Sequence, residues 1–326
     1  MNPNTTRLTM THKNTTMHRL SFGLSLWLLV AGCGPSFDPA SLISSTRVVG
    51  ARAEVEGAPE RATPTPGETV NVTWLVTSPV PTPPLQWIFA VCAPGAVGST
   101  TAIGCSDAPL ATFQGTANPP RVSIPVPAAG ALGAARSLVL YGEVCTGAGS
   151  TPVFDATSGI PTCTGGGGTT ASVSIPLQLA SAANHNPSAD HAFTLDGQAW
   201  SPAVPGADSC LAGPRLSAGT PEHVIGNTSL GTDREMFTAM LGVPPVPTPM
   251  RESLQISQFT TCGRLKSQFS FVETADARAE TVVEVKWDPP KAADVPAAGL
   301  AVTFTFVVRD GRGGTDWTTR TACVVP

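Results

Sequence analysis

Several residues whose side chains could bind a metal ion lie close together between Asn184 and His191. Imidazole and carboxylate groups that bind metals such as zinc are supplied by His185, Asp190 and His191. An oxygen-rich set overlaps them: Asn184, Asn186, Ser188 and Asp190. Calcium, however, prefers about six to eight oxygens with several carboxylates, and Pro187 breaks any helical spacing. We therefore expect neither a metal nor a cofactor, and interpret the segment as a solvated linker.

A catalytic centre is not indicated elsewhere. The sequence has no nucleophile elbow, phosphate-binding glycine loop, zinc-protease helix or paired CxxC. After residue 33 the histidines are His185, His191 and His223, and none has a context typical of a general base. We expect a non-enzymatic protein. An unrecognised hydrolase is the alternative, because catalytic triads assemble in any sequence order.

The N-terminal segment, residues 1–32, has the organisation of a signal peptide. His18 and Arg19 supply positive charge, Leu20 to Val30 are mostly apolar, and small residues follow. The apolar run is too short for a transmembrane helix, which needs about 20 residues. Translation begins at Met1 or at Met17, and the mature chain is the same for both.

Cys33 directly follows the cleavage motif, Val30, Ala31 and Gly32. The segment from Leu29 to Cys33 resembles the lipobox of bacterial lipoproteins. That resemblance implies that the chain is cleaved before Cys33 and that Cys33 is acylated. Membrane lipid is then a partner, because the acyl chains insert into it. Three acyl chains, at roughly 0.8 kcal/mol per buried CH₂, make a permanent anchor. In enterobacterial lipoproteins, an aspartate directly after this cysteine retains the protein at the inner membrane. Gly34 stands at that position here, which favours the outer membrane.

Charge and composition restrict the remaining possibilities. Removing residues 1–32 removes three basic residues and no acid, which changes the net charge from −4 to −7. Without a basic stripe, nucleic acid is excluded as a partner. The 32 glycines and 32 prolines suit short strands joined by turns.

Segments that alternate with period two predict the strands of a first domain over residues 46–180, after a tether at 33–45. These segments are 49–55, 70–76, 85–91, 121–126, 138–145 and 173–179. Six or seven short strands in about 130 residues are typical of an immunoglobulin-type β-sandwich.

After a linker at 181–190, residues 191–326 are predicted to form a second domain. Its strands are predicted at 191–195, 254–261, 265–271, 281–287, 300–309 and 315–325. A loop insertion is expected at about 213–250. Within it, the capping-box spacing of Thr232 and Glu235 and the apolar Met236 and Met240 predict a short helix that ends at Gly242.

The end of the chain carries a further resemblance. Trp287-Asp288-Pro289-Pro290, followed by the segment from Val307 to Gly314 and by Trp317, resembles the end of immunoglobulin-like, cadherin-like and polycystic-kidney-disease-type repeats. The resemblance implies an all-β chain of two tandem immunoglobulin-like β-sandwich domains. Such modules occur in surface lipoproteins of Gram-negative bacteria, but a fold does not determine a function.

Seven cysteines follow Cys33, and an exported chain makes disulfides the default. Cys92 and Cys145 are placed at opposite poles of the first sandwich, so we predict the local bridges Cys92–Cys105 and Cys145–Cys163. Each loop of about 15 residues contributes roughly 3 kcal/mol. We also predict a Cys210–Cys323 bridge, which leaves Cys262 as a free thiol. A buried small hydrophobe is its favoured interpretation, ahead of a reactive thiol or an intermolecular bridge.

The tryptophans bear on the function. Trp74, Trp87 and Trp287 lie on apolar strand faces and are predicted to pack in cores. Trp200 and Trp317 lie nearer turns and are candidates for exposure, where a shared platform would indicate glycan binding. We expect a lipid-anchored outer-membrane protein of the cell envelope that acts as a binding or spacer module for an envelope protein or glycan. The alternative is a carbohydrate- or peptidoglycan-binding surface module. The oligomeric state and the exposed leaflet are left open.

Overall fold

Alternating apolar residues form the strands of an all-β fold, as the sequence predicts. The computed structural model describes residues 38–80, 84–93, 108–155, 160–179, 182–204 and 209–326. Cys33 and its cleavage motif lie outside the described residues.

The first half of the chain folds into a three-stranded sheet, a four-stranded sheet and a small hairpin. Its strands are β1 (Arg47–Val55), β2 (Thr69–Thr77), β3 (Gln86–Cys92), β4 (Ala111–Gly115), β5 (Arg121–Pro125), β6 (Ser137–Cys145), β7 (Pro152–Asp155), β8 (Ile160–Cys163) and β9 (Gly168–Pro176), with one helical turn, α1 (Ala129–Leu132). The sheets have the orders β1-β2-β5 and β4-β3-β6-β9, and β7 pairs with β8. All these pairings are antiparallel.

Side chains from the facing surfaces of the two larger sheets form one hydrophobic core. Trp74 of β2 stacks on Phe89 of β3, with ring centroids 4.8 Å apart. Trp87 is also buried, and its Nε1 donates to the Ala117 carbonyl at 3.0 Å. The predicted core packing of Trp74 and Trp87 is confirmed.

The second half contains two five-stranded sheets and a separate hairpin. Its strands are β10 (Phe193–Leu195), β11 (Gln198–Ala199), β12 (Arg215–Ser217), β13 (His223–Leu230), β14 (Met236–Leu241), β15 (Val246–Arg251), β16 (Leu254–Thr260), β17 (Arg264–Leu265), β18 (Phe269–Val272), β19 (Glu280–Asp288), β20 (Leu300–Arg309) and β21 (Thr315–Val325). The helical segments are α2 (Ser209–Ala212) and two 3₁₀ turns, Gly231–Asp233 and Ala292–Asp294. The sheets have the orders β11-β10-β13-β19-β17 and β12-β21-β20-β16-β18.

A second hydrophobic core lies between these two sheets. Trp287 is fully buried and meets Phe304 edge-on at 5.0 Å, so its predicted place in a core is confirmed. Trp200, a candidate for exposure, is only 4 % exposed because its Nε1 donates to the Thr321 carbonyl and its ring packs on Phe304. That expectation is wrong.

The helix predicted between Thr232 and Gly242 is also wrong. Residues 231–233 form a 3₁₀ turn, and β14 follows and pairs with β15 in an antiparallel hairpin. Met236 and Met240 are four residues apart, a spacing that places side chains on one face of a helix and equally on one face of a strand. Pairing with the proline-rich segment 246–251 selects the strand.

Two predicted disulfides are present, Cys145–Cys163 and Cys210–Cys323. The first ties the end of β6 to β8, and the second ties α2 to β21 beside the parallel pairing of β12 with residues 323–325. Cys92 is disulfide-bonded, but its predicted partner Cys105 lies outside the described residues. Cys92 and Cys145 lie at opposite ends of the adjacent strands β3 and β6, as predicted, since they pair with Val139 and Gln86.

Candidate functional site

An apolar contact joins the outer surfaces of the two sandwiches, which belong to one compact unit over residues 39–326. Ile43, Phe259 and Val307 are buried there, and Val49, Leu75 and Trp317 pack against them. Trp317 is thus half-buried, not part of a platform with Trp200. Although residues 33–45 were expected to be a tether, Ile43 donates its N–H to the Thr260 carbonyl at 2.8 Å. The start of the described chain is therefore fixed on the second sandwich.

The segment predicted as a solvated linker is packed between the sandwiches. Asn184 is only 1 % exposed, and its backbone carbonyl accepts a hydrogen bond from Ala62 at 2.8 Å. Asn186 donates its side-chain N–H to the Ala53 carbonyl at 2.8 Å and accepts from the Thr315 N–H at 2.9 Å. The interpretation as solvated residues is wrong, because these amides satisfy backbone groups that both sandwiches bury.

The turn between β20 and β21 is built around the buried carboxylate of Asp310. Asp310 Oδ1 accepts from the N–H groups of Arg312 at 2.7 Å and Gly314 at 3.0 Å, and Oδ2 accepts from Asn184 Nδ2 at 2.7 Å. A Cβ at position 314 would lie 2.2 Å from Asp310 Oδ2 and 2.6 Å from the His185 carbonyl, so the close approach requires glycine. Asp310 therefore organises the turn by accepting from two of its backbone N–H groups.

The base of the β14–β15 hairpin adds further charges. Glu252 is 1 % exposed; its Oε1 accepts from Arg312 Nη1 at 2.6 Å and its Oε2 from the Glu235 N–H at 2.9 Å. Buried Arg234 donates to the carbonyls of Glu252 and Asp276 at 2.8 and 2.6 Å, and also to that of Glu273. We refer to residues 182–190, the turn 310–314 and residues 234, 235 and 252 together as the junction.

Burial sets the electrostatics of the junction. It raises the pKa of Glu252 to about 7, because lost hydration and the nearby Asp310 outweigh the hydrogen bonds and the attraction of Arg312. Burial likewise raises the pKa of Asp310 above its usual range and lowers that of Arg234. The junction therefore holds ionisable groups whose charged forms are destabilised by their surroundings.

Each of the three histidines after residue 33 contacts a carboxylate. His185 Nδ1 contacts Glu235, His191 Nε2 contacts Asp233, and His223 Nδ1 lies 2.7 Å from Asp196 Oδ2. The structure does not gather His185, Asp190 and His191 into one site, since the Asp190 carboxylate instead faces the Arg320 guanidinium at 3.2 Å. Across the described ranges no group of three or more histidine, cysteine or acidic residues is placed to hold a metal ion.

Cys262, predicted as a free thiol, is unpaired and half-buried at the end of β16. It packs against the second core, and burial raises the pKa of its thiol. A thiol that is harder to ionise is less nucleophilic, which agrees with the favoured interpretation of a small buried hydrophobe.

A cleft of about 590 Å³ lies beside the junction. Strands β1 and β9 form one wall, and Arg309, Arg312 and the glycine-rich turn form the other. Trp74 also lines it, and in the described part of the chain its buried Nε1 has no hydrogen-bond partner. An unpaired buried donor is costly, and this one is too deeply buried to face the cleft.

The charged members of the junction are not predicted from the sequence. The capping-box spacing predicts that Glu235 caps a helix, and nothing in the sequence around Arg234 or Glu252 marks them as buried. The one available signal is an acid and an arginine close together in a glycine-rich segment, at Asp310 and Arg312.

No protein-family model matches the chain, and no curated protein is similar to it. In the described residues no helix has the length and apolar character to cross a membrane.

The raised pKa of Glu252 predicts a pH-dependent stability. Between pH 4.5 and about 7 the folded protein holds a proton that the unfolded chain releases, so the free energy of unfolding falls as pH rises through this range, by up to about 3 kcal/mol. Glu252→Gln should flatten that slope, as measured by urea unfolding from pH 4.5 to 8. The exposed Glu56→Gln is the matched control, and an unchanged slope in Glu252→Gln would contradict the assignment.

Proposed function

We propose that this chain is a lipid-anchored protein of the outer membrane that acts as a rigid, non-enzymatic binding or spacer module in the cell envelope. The anchor rests on Cys33 and its lipobox-like context. The observation that carries the rest is the junction, where a buried hydrogen bond between Asn184 and Asp310 joins the connecting segment to the second sandwich.

A spacer needs a fixed geometry between its parts, and contacts between the two sandwiches beside the junction support one. Arg52 of β1 pairs with Asp316 of β21 at 2.7 Å, and Arg309 of β20 donates to the Val49 carbonyl at 2.7 Å. The apolar contact around Phe259 lies beside these bonds. Polar bonds with directional geometry and an apolar contact together disfavour a hinge motion, because bending would leave buried groups unpaired.

The non-enzymatic part of the proposal is supported by how the reactive groups are used. The three histidines are in contact with carboxylates at three separate places, and Cys262 packs against a core. A general base must reach both a nucleophile and a substrate. Groups that instead complete structural pairs are suited to stability.

A second candidate function, carbohydrate or peptidoglycan binding, is favoured by the cleft beside Trp74. Thr170, Ser172 and Ser174 offer hydroxyls on one wall of the cleft, and Arg309 and Arg312 lie on the other. Hydroxyls can both donate to and accept from the hydroxyls of a sugar.

Loss of the anchor tests the proposed location. Cys33→Ala should abolish acyl labelling and release the protein from the membrane fraction, because no acyl chain is attached. Cys262→Ala is the control, since it also removes a thiol but should leave both properties intact. A Cys33→Ala protein that stays acylated and membrane-bound would refute the proposal.

Rigidity of the junction is tested by Asn184→Ala. Removing the amide leaves the buried Asp310 carboxylate short of a donor, which should lower the free energy of unfolding by about 1–3 kcal/mol. Amide hydrogen exchange should accelerate in residues 182–186 and 310–315 and stay unchanged in β3. Gln114→Ala, at an exposed amide of β4, is the control; equal exchange in both variants would count against a rigid junction.

The glycan alternative is tested by Ser172→Ala, which removes an exposed hydroxyl from the wall of the cleft. If the cleft binds peptidoglycan fragments, the affinity should fall by about fivefold, the value of one hydrogen bond. Ser123→Ala is the matched control, because this exposed serine of β5 lies outside the cleft. Fragments that bind wild type and Ser172→Ala equally would exclude the cleft as their site.

A further inference from the structure

The β14–β15 hairpin is largely exposed, and it is uncharged up to its last residue, Arg251. No charged residue occurs from Met236 to Met250, although the chain as a whole is acidic. Met236 and Met240 are 59 % and 60 % exposed, and Val243 at the tip is fully exposed. Within the described ranges β14 and β15 pair only with each other. The hairpin therefore presents both of its edges to the surroundings.

The direction of the backbone groups follows from the register. At the base, the Glu252 N–H donates to the Glu235 carbonyl at 3.0 Å, and bonded pairs alternate along an antiparallel ladder. The next bonded pairs are then Phe237 with Met250, Ala239 with Thr248 and Leu241 with Val246. The N–H and C=O groups of the intervening residues Met236, Thr238 and Met240 consequently point away from β15.

The outer edge of β15 differs from that of β14. Its outward positions include Pro247 and Pro249, which pair with Met240 and Thr238. Proline has no N–H, so this edge cannot donate the hydrogen bonds that a further strand would need. The hairpin thus has one edge closed to strand addition and one edge open.

We propose that the open edge of β14 pairs with β14 of a second copy of this chain. In an antiparallel arrangement about a two-fold axis, Thr238 faces Thr238 of the second copy, and Met236 faces Met240 of the second copy. All three outward residues then form hydrogen-bonded pairs, each with two bonds. The product is a four-stranded sheet, β15-β14-β14-β15, shared by two chains.

Two observations favour a second copy as the occupant. The edge is self-complementary, because the outward residues Met236, Thr238 and Met240 are symmetric about Thr238. Like-charged copies repel one another, and a hairpin with no charge over 15 residues allows their close approach. The prolines on both outer edges then end the sheet at four strands, so the association closes as a dimer and does not grow into a fibre.

Crosslinking at the symmetry axis tests the geometry. Hydrogen-bonded antiparallel residues have Cα atoms about 5.5 Å apart, within the range of a disulfide. In the full chain with Cys33→Ala and Cys262→Ser, Thr238→Cys should form a covalent dimer on mild oxidation. Thr248→Cys, on the closed strand, is the matched control and should stay monomeric. A Thr238→Cys chain that gives no more dimer than Thr248→Cys would overturn the proposal.

Sedimentation of the full chain tests the energetics. Thr238→Pro removes an outward N–H without touching a bond between β14 and β15, and should weaken dimerisation by at least about tenfold. Thr238→Val keeps the N–H and should dimerise like wild type. Met240→Lys leaves the backbone intact and should weaken the dimer by charge repulsion. This second variant tests the dimer independently of any misfolding that Thr238→Pro causes.

Other occupants are outcomes of the same measurements. A wild-type chain that is monomeric at every concentration overturns the proposal, as does a dimer that Thr238→Pro leaves unchanged. Binding of a monomeric chain to phospholipid vesicles through the hairpin, unaffected by Thr238→Pro, would identify a lipid surface as the occupant instead and equally overturn it.

Discussion

The carboxylate of Asp310 is the group on which the arrangement of the two sandwiches depends. It is 3 % exposed, and a buried carboxylate without hydrogen bonds is too costly to keep charged. Its donors come from two places: the backbone of its own turn and the side chain of Asn184, 126 residues away. The turn cannot satisfy the carboxylate fully unless the connecting segment is in place. Formation of the second sandwich and its docking to the first are thereby coupled.

The same constraint extends to the base of the hairpin. The Arg312 guanidinium pairs with two acids, Glu235 and Glu252, and also stacks over Phe237 at 4.7 Å. Loss of hydration raises the pKa of Glu252, and repulsion from the nearby Asp310 adds to that effect. Together they favour protonation of Glu252, the most buried of these carboxylates. The hairpin is therefore attached to the body of the protein at a point whose charge depends on pH.

The sequence predicts well what is determined locally. Period-two alternation located the long strands, such as β2, β20 and β21, because each buries one face against a core. It failed where structure depends on distant partners. Asn184 is buried because its amide bonds to Asp310, and Trp200 is buried because its indole N–H bonds to the carbonyl of Thr321. Met236 begins a strand because that strand pairs with a segment rich in proline. The exposed strand β4 was not predicted. It lies at the edge of its sheet beside β3, and apolar and polar residues alternate only weakly along it. The candidate site was not predicted, because Asn184, Glu252 and Asp310 become neighbours only in the folded chain.

A lipid anchor and an edge-pairing hairpin would reinforce each other if both proposals hold. Chains anchored at Cys33 diffuse in two dimensions and share an orientation, which raises their effective concentration far above that in solution. A contact made of backbone hydrogen bonds and two pairs of methionines is small for a dimer interface, so a higher effective concentration at the membrane increases the dimeric fraction. The contacts of Arg312 with Glu235, Glu252 and Phe237 add to this effect. They hold the base of the hairpin against the second sandwich, so less entropy is lost when two hairpins pair.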